Sequence, residues 1–457
     1  EREMMAALSV FTGSFSQAAA QQVVSVSPAL LAALVDKSLL GRMDNGRYQL
    51  HHTLRQYAAQ QLPLTRQDAL RQQHAAYFMS WLRQQESDLY TSAQTDIFQH
   101  IIADYDNIRT AWQVALTNVQ LDWLTQGLTT LRAFYNIQSR FQEGAEWLAD
   151  TAVILESHAA QTLDFHHPLH RLLGKVLTRR ASFSAWLGRR AEAEALFQQA
   201  LPLTRRFSDP DEIGFLLLNM GYLTVVTGNY DAASQQFQES LDNYRQTNDE
   251  RGMADALSAQ GALHNMTGDW EKARQYLEDS VAISRRLQDE DRLRSSLTNL
   301  GNVHYLTGNH AQARRYYEEV LPLCQKVGDR MSEAIVVSNL GTLAQEASDY
   351  KTAEKQLQRG LQLFQEAQHQ PAVIQCSTNL AAIYRALGQL NRAKQTLCDA
   401  LKQAISQKYD SLIPLVVFEI GLFYQNVGEA TQALPLLLWM SQHPAAMAEN
   451  RLKAEAV

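Results

Sequence analysis

The second half of the chain repeats one pattern of small, apolar and polar positions every 40 residues. A small residue recurs at Ala181, Gly221, Gly261, Gly301, Gly341, Ala381 and Gly421. Twelve residues after each of these comes an alanine, from Ala193 to Ala433, and four further on a large apolar residue, from Phe197 to Leu437. Seven units in one register indicate an array of structural repeats.

Residues 214–253 show what one unit predicts. An apolar stripe at helical spacing runs through Leu216, Leu217, Met220 and Leu223. Gly228 suits the left-handed position that ends a helix, and Ala233, Phe237 and Leu241 then form the inner face of a second helix. A helical hairpin cannot bury its apolar face alone, so we expect seven hairpins to stack into a curved, all-α superhelical solenoid.

Residues 1–62 follow a different pattern. Ser27 and Pro28 predict a helix N-terminus, and Asn45-Gly46 between two short apolar runs predicts a β-hairpin. A last helix is expected from His51 to Leu62, with Leu54, Tyr57, Ala58 and Leu62 on one face. This order of elements favours a small winged-helix-like domain with a short hairpin.

Composition narrows the class of protein. The 457 residues are 46% hydrophobic and 19% charged, with a net charge of −7, which favours a folded chain over a disordered or basic nucleic-acid-binding one. Three cysteines without a CxxC pair fit a reducing compartment, and no apolar run reaches the length of a membrane span. We therefore expect a cytoplasmic protein without membrane contact.

The 40-residue unit resembles the tetratricopeptide repeat, with the usual proline after the second helix absent. Residues 8–11 (LSVF), 34–39 (LVDKSL), 48–51 (YQLH) and 54–58 (LRQYA) resemble the winged-helix module of STAND proteins, signal-transduction ATPases with numerous domains. Residues 74–78 (HAAYF) and 104–112 (DYDNIRTAW) are similar to the helical connector of bacterial regulators in that group.

The resemblance implies four parts. Residues 1–62 would be the winged-helix module, and 63–165 a helical connector with a degenerate repeat near residues 140–148. Residues 166–440 would hold the seven repeats, and 441–457 a C-terminal cap or tail. The nucleotide-binding domain precedes the winged helix in such proteins, and this sequence has no GxxxxGK[ST] loop, so we expect the C-terminal part of a larger protein.

The resemblance also implies a function, that of the ligand- or protein-sensing region of a signalling or transcriptional regulator. The chain itself is expected to be no enzyme and to hold no cofactor, while ATP and ADP would bind the intact protein. Two alternatives remain: a stand-alone repeat scaffold for protein–protein interaction, and DNA binding through the winged helix. The latter has a weak electrostatic basis, because residues 1–62 carry a net charge near +1.

His51 is the candidate nucleotide-sensing residue. STAND relatives read Met-His-Asp where this chain reads Leu50-His51-His52, and their histidine approaches the β-phosphate of ADP in the closed state. An imidazole can donate a hydrogen bond to a phosphate oxygen. The alternative is a helix-start histidine without a ligand.

The first helices of the repeats carry the candidate groove residues, which are Asn219, Tyr222, Asn299, Asn302, Tyr305, Asn339 and Asn379. An amide offers donors and an acceptor, so a row of them can hold the backbone of an extended peptide. The alternative is that these asparagines bond neighbouring helices only. We expect a protein or peptide ligand here, with a small-molecule inducer as a second option, an upstream nucleotide-binding domain as partner, and a homo-oligomer on activation.

Metal-binding and catalytic motifs are the remaining candidate sites. Asp164, His166, His167 and His170 offer metal-binding residue types, but Pro168 interrupts them and a polar loop is the interpretation we favour. No GxSxG, HExxH or GxGxxG motif occurs, so the sequence predicts neither a catalytic nor a metal site.

Overall fold

The computed structural model describes residues 1–89, 91 and 93–442. The N-terminal elements are α1 (Arg2–Leu8), α2 (Gln17–Val24), α3 (Pro28–Asp36), β1 (Gly41–Arg42), β2 (Tyr48–Gln49) and α4 (His52–Gln60). Most of the predicted cap or tail, residues 443–457, lies outside the described residues.

The local predictions for this region are confirmed at two places. The Ser27 side chain accepts a hydrogen bond from the Leu30 backbone N–H at 3.3 Å, with Pro28 in the first turn of α3. β1 and β2 pair antiparallel around a turn in which Gly46 has φ +77°. The prediction that Tyr57 belongs to the buried face of α4 is wrong, since its side chain is 60% exposed. Ala58 is the residue that this helix buries.

Five helices follow: α5 (Leu64–Gln84), α6 (Gln94–Ala103), α7 (Tyr105–Thr117), α8 (Leu121–Ile137) and α9 (Phe141–Ala159). Asn107 on α7 ties them to the N-terminal segment, since its Oδ1 accepts from the Thr12 N–H at 2.9 Å and its Nδ2 donates to the Ser14 carbonyl at 2.8 Å. Arg47 donates to the same Ser14 carbonyl at 2.8 Å and forms an ion pair with Asp104. A buried polar network therefore fixes the hairpin on the helices.

The rest of the described chain is seven helical hairpins, each with a first and a second helix. The first helices are α10 (Pro168–Trp186), α12 (Pro210–Val226), α14 (Glu250–Thr267), α16 (Glu290–Leu306), α18 (Arg330–Glu346), α20 (Gln370–Ala386) and α22 (Ile413–Asn426). The second helices are α11 (Arg190–Arg206), α13 (Tyr230–Thr247), α15 (Trp270–Arg286), α17 (His310–Val327), α19 (Tyr350–Glu366), α21 (Leu390–Ser406) and α23 (Ala430–Gln442). The predicted all-α fold with a small hairpin near the N-terminus is confirmed.

Every turn inside a hairpin uses a left-handed residue seven positions after the small one. Gly188, Gly228, Gly268, Gly308, Gly388 and Gly428 have φ between +73° and +84°, and Ser348 has φ +59°. The prediction for Gly228 is confirmed. Glycine suits these turns because a Cβ destabilises the left-handed conformation.

The small position lets the two helices of a hairpin approach closely. A Cβ on Gly221 would lie 2.3 Å from the Phe237 ring, and one on Gly301 would lie 2.5 Å from the Tyr317 ring. The small residue of these repeats therefore contacts the large apolar residue that follows it by 16 positions. This contact explains why both recur in the same register.

The chain divides into two compact units, residues 1–252 and residues 253 onward, each with its own core. Among the described residues no single helix is both long and apolar enough to cross a membrane. Only α2 and α3 taken as a pair meet that criterion by length and composition, and they are bent by 113° at the break between them.

Candidate ligand-binding face on the first helices

The second unit holds most of the predicted groove residues. Asn299, Asn339 and Asn379 occupy the same position on α16, α18 and α20, and all three are half-buried. Asn299 Nδ2 donates to Ser258 Oγ on α14 at 3.3 Å, whereas the Asn379 amide makes no hydrogen bond to any described residue. The same position thus serves helix–helix bonding in one repeat and leaves a complete amide available in another.

Asn302 joins two helices. Its Oδ1 accepts from the Tyr317 hydroxyl at 2.6 Å and from Asn339 Nδ2 at 3.0 Å. Both lone pairs of that oxygen are therefore in use, while Asn302 Nδ2 and Asn339 Oδ1 make no bond within the described residues. The pair therefore leaves the NH2 group of Asn302 and the carbonyl oxygen of Asn339 for a ligand.

Tyr305 lies one turn beyond Asn302 on α16. Its hydroxyl donates to Glu346 Oε1 on α18 at 3.3 Å, and its ring meets His310 edge-on with 5.6 Å between centroids. The side chain is therefore oriented by contacts on two helices. A selectivity role for Tyr305 stays a prediction.

In the first unit the predicted residues behave differently. Asn219 Nδ2 donates to the Phe215 carbonyl of its own helix at 2.8 Å, so its amide bonds within α12. Tyr222 is 44% exposed, and the edge of its ring packs on Phe237 at 5.3 Å. The carbonyl oxygen of the Asn219 side chain and the exposed part of the Tyr222 ring are therefore the groups that could contact a ligand here.

Beside them lies a charged cluster that sequence reasoning missed. Arg179 on α10 forms a two-point ion pair with Glu212 on α12, at 2.8 and 2.9 Å, and Lys175 approaches the same carboxylate at 3.0 Å. Burial alone would raise the pKa of Glu212, but the charges of Arg179 and Lys175 outweigh it and hold that pKa at about 2. The Phe215 ring lies 4.7 Å from the Arg132 guanidinium and 4.9 Å from that of Arg179.

Lys175 and Arg179 also border a cavity of about 600 Å³ between α8 and α10. The available sequence signal was the spacing of Arg171, Lys175 and Arg179, four residues apart on one helix face. Arg171 forms an ion pair at 2.5 Å with Asp209, the N-cap residue of α12. The first helices of this unit thus carry charged side chains that pair with one another. The second unit differs, because its first helices carry the asparagine face, formed by Asn299, Asn302, Asn339 and Asn379.

His51 is the N-cap residue of α4. Its Nδ1 accepts from the Thr53 N–H at 3.4 Å, and the side chain is exposed. Its Nε2 makes no hydrogen bond within the described residues, so that atom is available to a ligand. The neighbouring His52 contacts Gln56 at 3.4 Å and lies within α4.

Three of the four residues of metal-binding type are engaged in local contacts, and the fourth, His170, has a buried Nε2 that makes no hydrogen bond within the described residues. Asp164 Oδ1 accepts from the His166 N–H at 2.9 Å, and His167 Nδ1 caps α10 by accepting from the Leu169 N–H at 3.2 Å. His170 is buried, with its ring 6.2 Å from that of Phe165. Within the described residues no three His, Cys, Asp or Glu side chains are grouped to hold a metal ion.

Comparison with known proteins identifies the repeats. Residues 172–246, 252–326 and 332–406 match the family model described as Tetratricopeptide repeat. Proteins of Mycobacterium tuberculosis and Mycobacterium bovis that carry the provisional name HTH-type transcriptional regulator are 26% identical in an alignment of 228 residues that covers 46% of this chain. The chain spans about a quarter (25%) of the length of these relatives.

Two solved structures share the fold. One is a Signal Transduction ATPase with Numerous Domains (STAND) protein with a tetratricopeptide repeat sensor from Pyrococcus horikoshii, with a TM-score of 0.63 and 15% identity over 99% of this chain and 65% of that one. The other is a Rap protein complexed with Competence and Sporulation Factor, with a TM-score of 0.55 and 14% identity over 74% of this chain and 92% of that one. The repeats are a tetratricopeptide solenoid.

Proposed function

We propose that this tetratricopeptide solenoid is the sensor region of a STAND-type regulator and that the asparagine face of its second unit binds a peptide segment. The half-used amides of Asn302 and Asn339, beside the unbonded amide of Asn379, carry the proposal. Unpaired donors and acceptors in a half-buried row match the alternating N–H and C=O groups of an extended backbone. A small-molecule inducer with several hydrogen-bonding groups is the second candidate for the same face.

The similarity to a STAND protein with a tetratricopeptide sensor supports this assignment, as does the similarity to a Rap protein complexed with Competence and Sporulation Factor. In the intact regulator, a nucleotide-binding domain would precede residues 1–62. ADP would hold the closed state, with His51 Nε2 near its β-phosphate, and the ligand would favour an open, ATP-bound form that oligomerises. A ligand shifts this equilibrium only by its difference in affinity for the two states.

The polar network around Asn107 supports a mechanical part of the proposal. Because Arg47, Thr12 and Ser14 are bonded to the α6–α7 region, the proposed winged-helix module and connector would move as one body. A rigid connection of this kind would pass a change in the repeats to the nucleotide-binding domain.

The same contacts weaken the DNA-binding alternative. Three of the five basic residues in residues 1–62 bond inside the protein: Lys37 to Glu1, Arg47 to Asp104 and Arg55 to the Thr12 carbonyl. A net charge near +1, with three of the five cations engaged, gives little attraction to phosphate.

The test uses a selection from a displayed library of random 12-residue peptides on the complete chain. Peptides that bind are then measured against Asn379→Ala and, as a matched control, Gln362→Ala on the exposed face of α19. Asn379→Ala should weaken binding about fivefold or more without changing stability, because the amide has no partner to lose. Selected peptides that bind Asn379→Ala and wild type equally would refute the groove assignment.

The scaffold alternative needs a different measurement. A fusion of this chain to its natural upstream sequence should bind ADP, and His51→Ala should raise ADP release if the switch proposal holds. Failure of the complete protein to bind nucleotide would leave a repeat scaffold as the function.

A further inference from the structure

The first unit has a cavity of about 500 Å³, lined by none of the residues proposed to bind a peptide. It is bounded by α7 and α9, with Tyr135 from α8 and Thr12 from the N-terminal segment. Its volume is in the range of small-molecule sites.

Aromatic rings contribute to the lining of this cavity. Trp112 and Trp147 lie 4.6 Å apart between ring centroids, and Tyr135 lies 5.5 Å from Trp147. The Trp112 indole N–H donates to the Thr151 hydroxyl at 3.0 Å, which fixes the ring. Fixed indole and phenol rings attract cations through their negative faces.

Carboxylates also contribute to the lining. Asp106, Glu143, Glu146 and Asp150 line the cavity together with a single cationic side chain, that of Arg109. Glu143 pairs with Arg140, whereas Asp106, Glu146 and Asp150 form no ion pair with any described residue. Arg109 lies over the Tyr105 ring at 5.9 Å. Because the lining has one cationic side chain and three carboxylates outside ion pairs, it keeps an excess of negative charge.

At the same site the protein shows how these groups bind a guanidinium. The Arg140 guanidinium lies 4.8 Å from the centre of the Tyr105 ring and 5.2 Å from that of Phe134. Its Nε also donates to Glu143 Oε1 at 2.8 Å. An aromatic face plus a carboxylate is therefore already in use by a guanidinium of this chain. Trp147, Glu146 and Asp150 supply the same two kinds of group to the cavity lining, and Glu146 also accepts a hydrogen bond from Gln142.

We propose that this cavity binds a small organic cation of the guanidinium class through the Trp147 ring and the Glu146 and Asp150 carboxylates. A planar guanidinium can stack on a ring while its edge donates to carboxylates, as Arg140 does. A metal ion fits less well, because no three donor side chains in the described residues are grouped to hold one. The cation is either a free small molecule or an arginine side chain of a peptide, and both present the same group.

Calorimetric titration of the complete chain tests the proposal with three probes. Agmatine represents a free cation, N-acetyl-arginine methylamide represents an arginine within a peptide, and N-acetyl-citrulline methylamide is the neutral isostere. We expect agmatine or the arginine derivative to bind, with the stronger of the two identifying the source. The citrulline derivative should bind about tenfold more weakly or not at all.

The double variant Glu146→Gln/Asp150→Asn should reduce affinity about five- to tenfold, because two carboxylates are neutralised at nearly constant shape. Glu156→Gln, an exposed position farther along α9, is the matched control and should bind as wild type does. Asn379→Ala should also bind normally, so failure here is distinct from failure of the peptide proposal.

Three results would overturn the proposal. They are the absence of binding to wild type at millimolar probe, equal binding of the arginine and citrulline derivatives, and unchanged affinity in the folded double variant. The comparison of the two derivatives uses wild-type protein, so it decides the question even if the double variant does not fold.

Discussion

Replacing Gly301 by alanine tests the close helix contact that organises every repeat. The new Cβ would lie 2.5 Å from Tyr317 Cε1 and 2.9 Å from Cδ1, both far inside van der Waals distance. Tyr317 is 1% exposed, and its hydroxyl donates to Asn302 at 2.6 Å. The ring therefore cannot move without disturbing both the core and the asparagine face.

The magnitude follows from three opposing effects. Overpacking a buried contact costs about 1–3 kcal/mol, and weakening the Tyr317–Asn302 hydrogen bond adds about 1 kcal/mol. Alanine in place of glycine inside a helix returns about 1 kcal/mol of helix propensity. We expect a net loss of about 1–3 kcal/mol in the free energy of unfolding.

Urea unfolding followed by circular dichroism measures this loss, and hydrogen exchange on α16 and α17 shows whether it is local. Gly341→Ala is the matched control, because its Cβ would meet the more adaptable Leu357 side chain at 3.0 Å. We expect that control to lie within about 0.5 kcal/mol of wild type. A Gly301→Ala protein as stable as wild type would refute the argument for the small position.

Three other perturbations separate the remaining effects. His74 is buried, and desolvation lowers its pKa in the folded protein to about 4. As the pH falls, the unfolded protein therefore takes up a proton at this histidine before the folded protein does. The free energy of unfolding should therefore decline by up to about 3 kcal/mol between pH 6.5 and pH 4. The urea midpoint of the His74→Leu variant should depend less on pH, and an equal decline in the variant would contradict this reasoning. Arg179→Met leaves the Glu212 carboxylate with only Lys175 and should cost about 2–4 kcal/mol, whereas adding Glu212→Gln should recover part of it; no recovery in thermal unfolding would mean that packing, not charge, dominates. Gly308→Ala, with φ +78° and no atom within 4 Å, should cost about 1 kcal/mol from backbone strain alone, and Gly308→Asn should cost less; equal losses would point to a steric cause.

The sequence predicts the elements of the repeats well, because they depend on local interactions. The 40-residue period sets the helical hairpins, the glycine line sets the left-handed turns, and the small and large lines predict that two faces pack closely. The same holds for Ser27 as a helix cap and for the Asn45-Gly46 hairpin.

Contacts between helices are what the sequence leaves open. Asn299, Asn339 and Asn379 are alike in sequence position, yet one bonds Ser258, one bonds Asn302 and one bonds nothing in the described chain. Which amide atom finds a partner within 3.5 Å depends on the side chains that the neighbouring helix brings next to it.

The candidate chemistry of the first unit depends on tertiary structure even more. The ion pair of Arg179 with Glu212 joins residues 33 positions apart, and the pairing of Trp112 with Trp147 joins different helices. Side-chain periodicity indicates which face of a helix is buried, but not which charges and rings of other helices it meets. The repeat period therefore determined the fold of the seven hairpins, and the packing of helices decided where unpaired amides, paired charges and the acidic aromatic cavity lie.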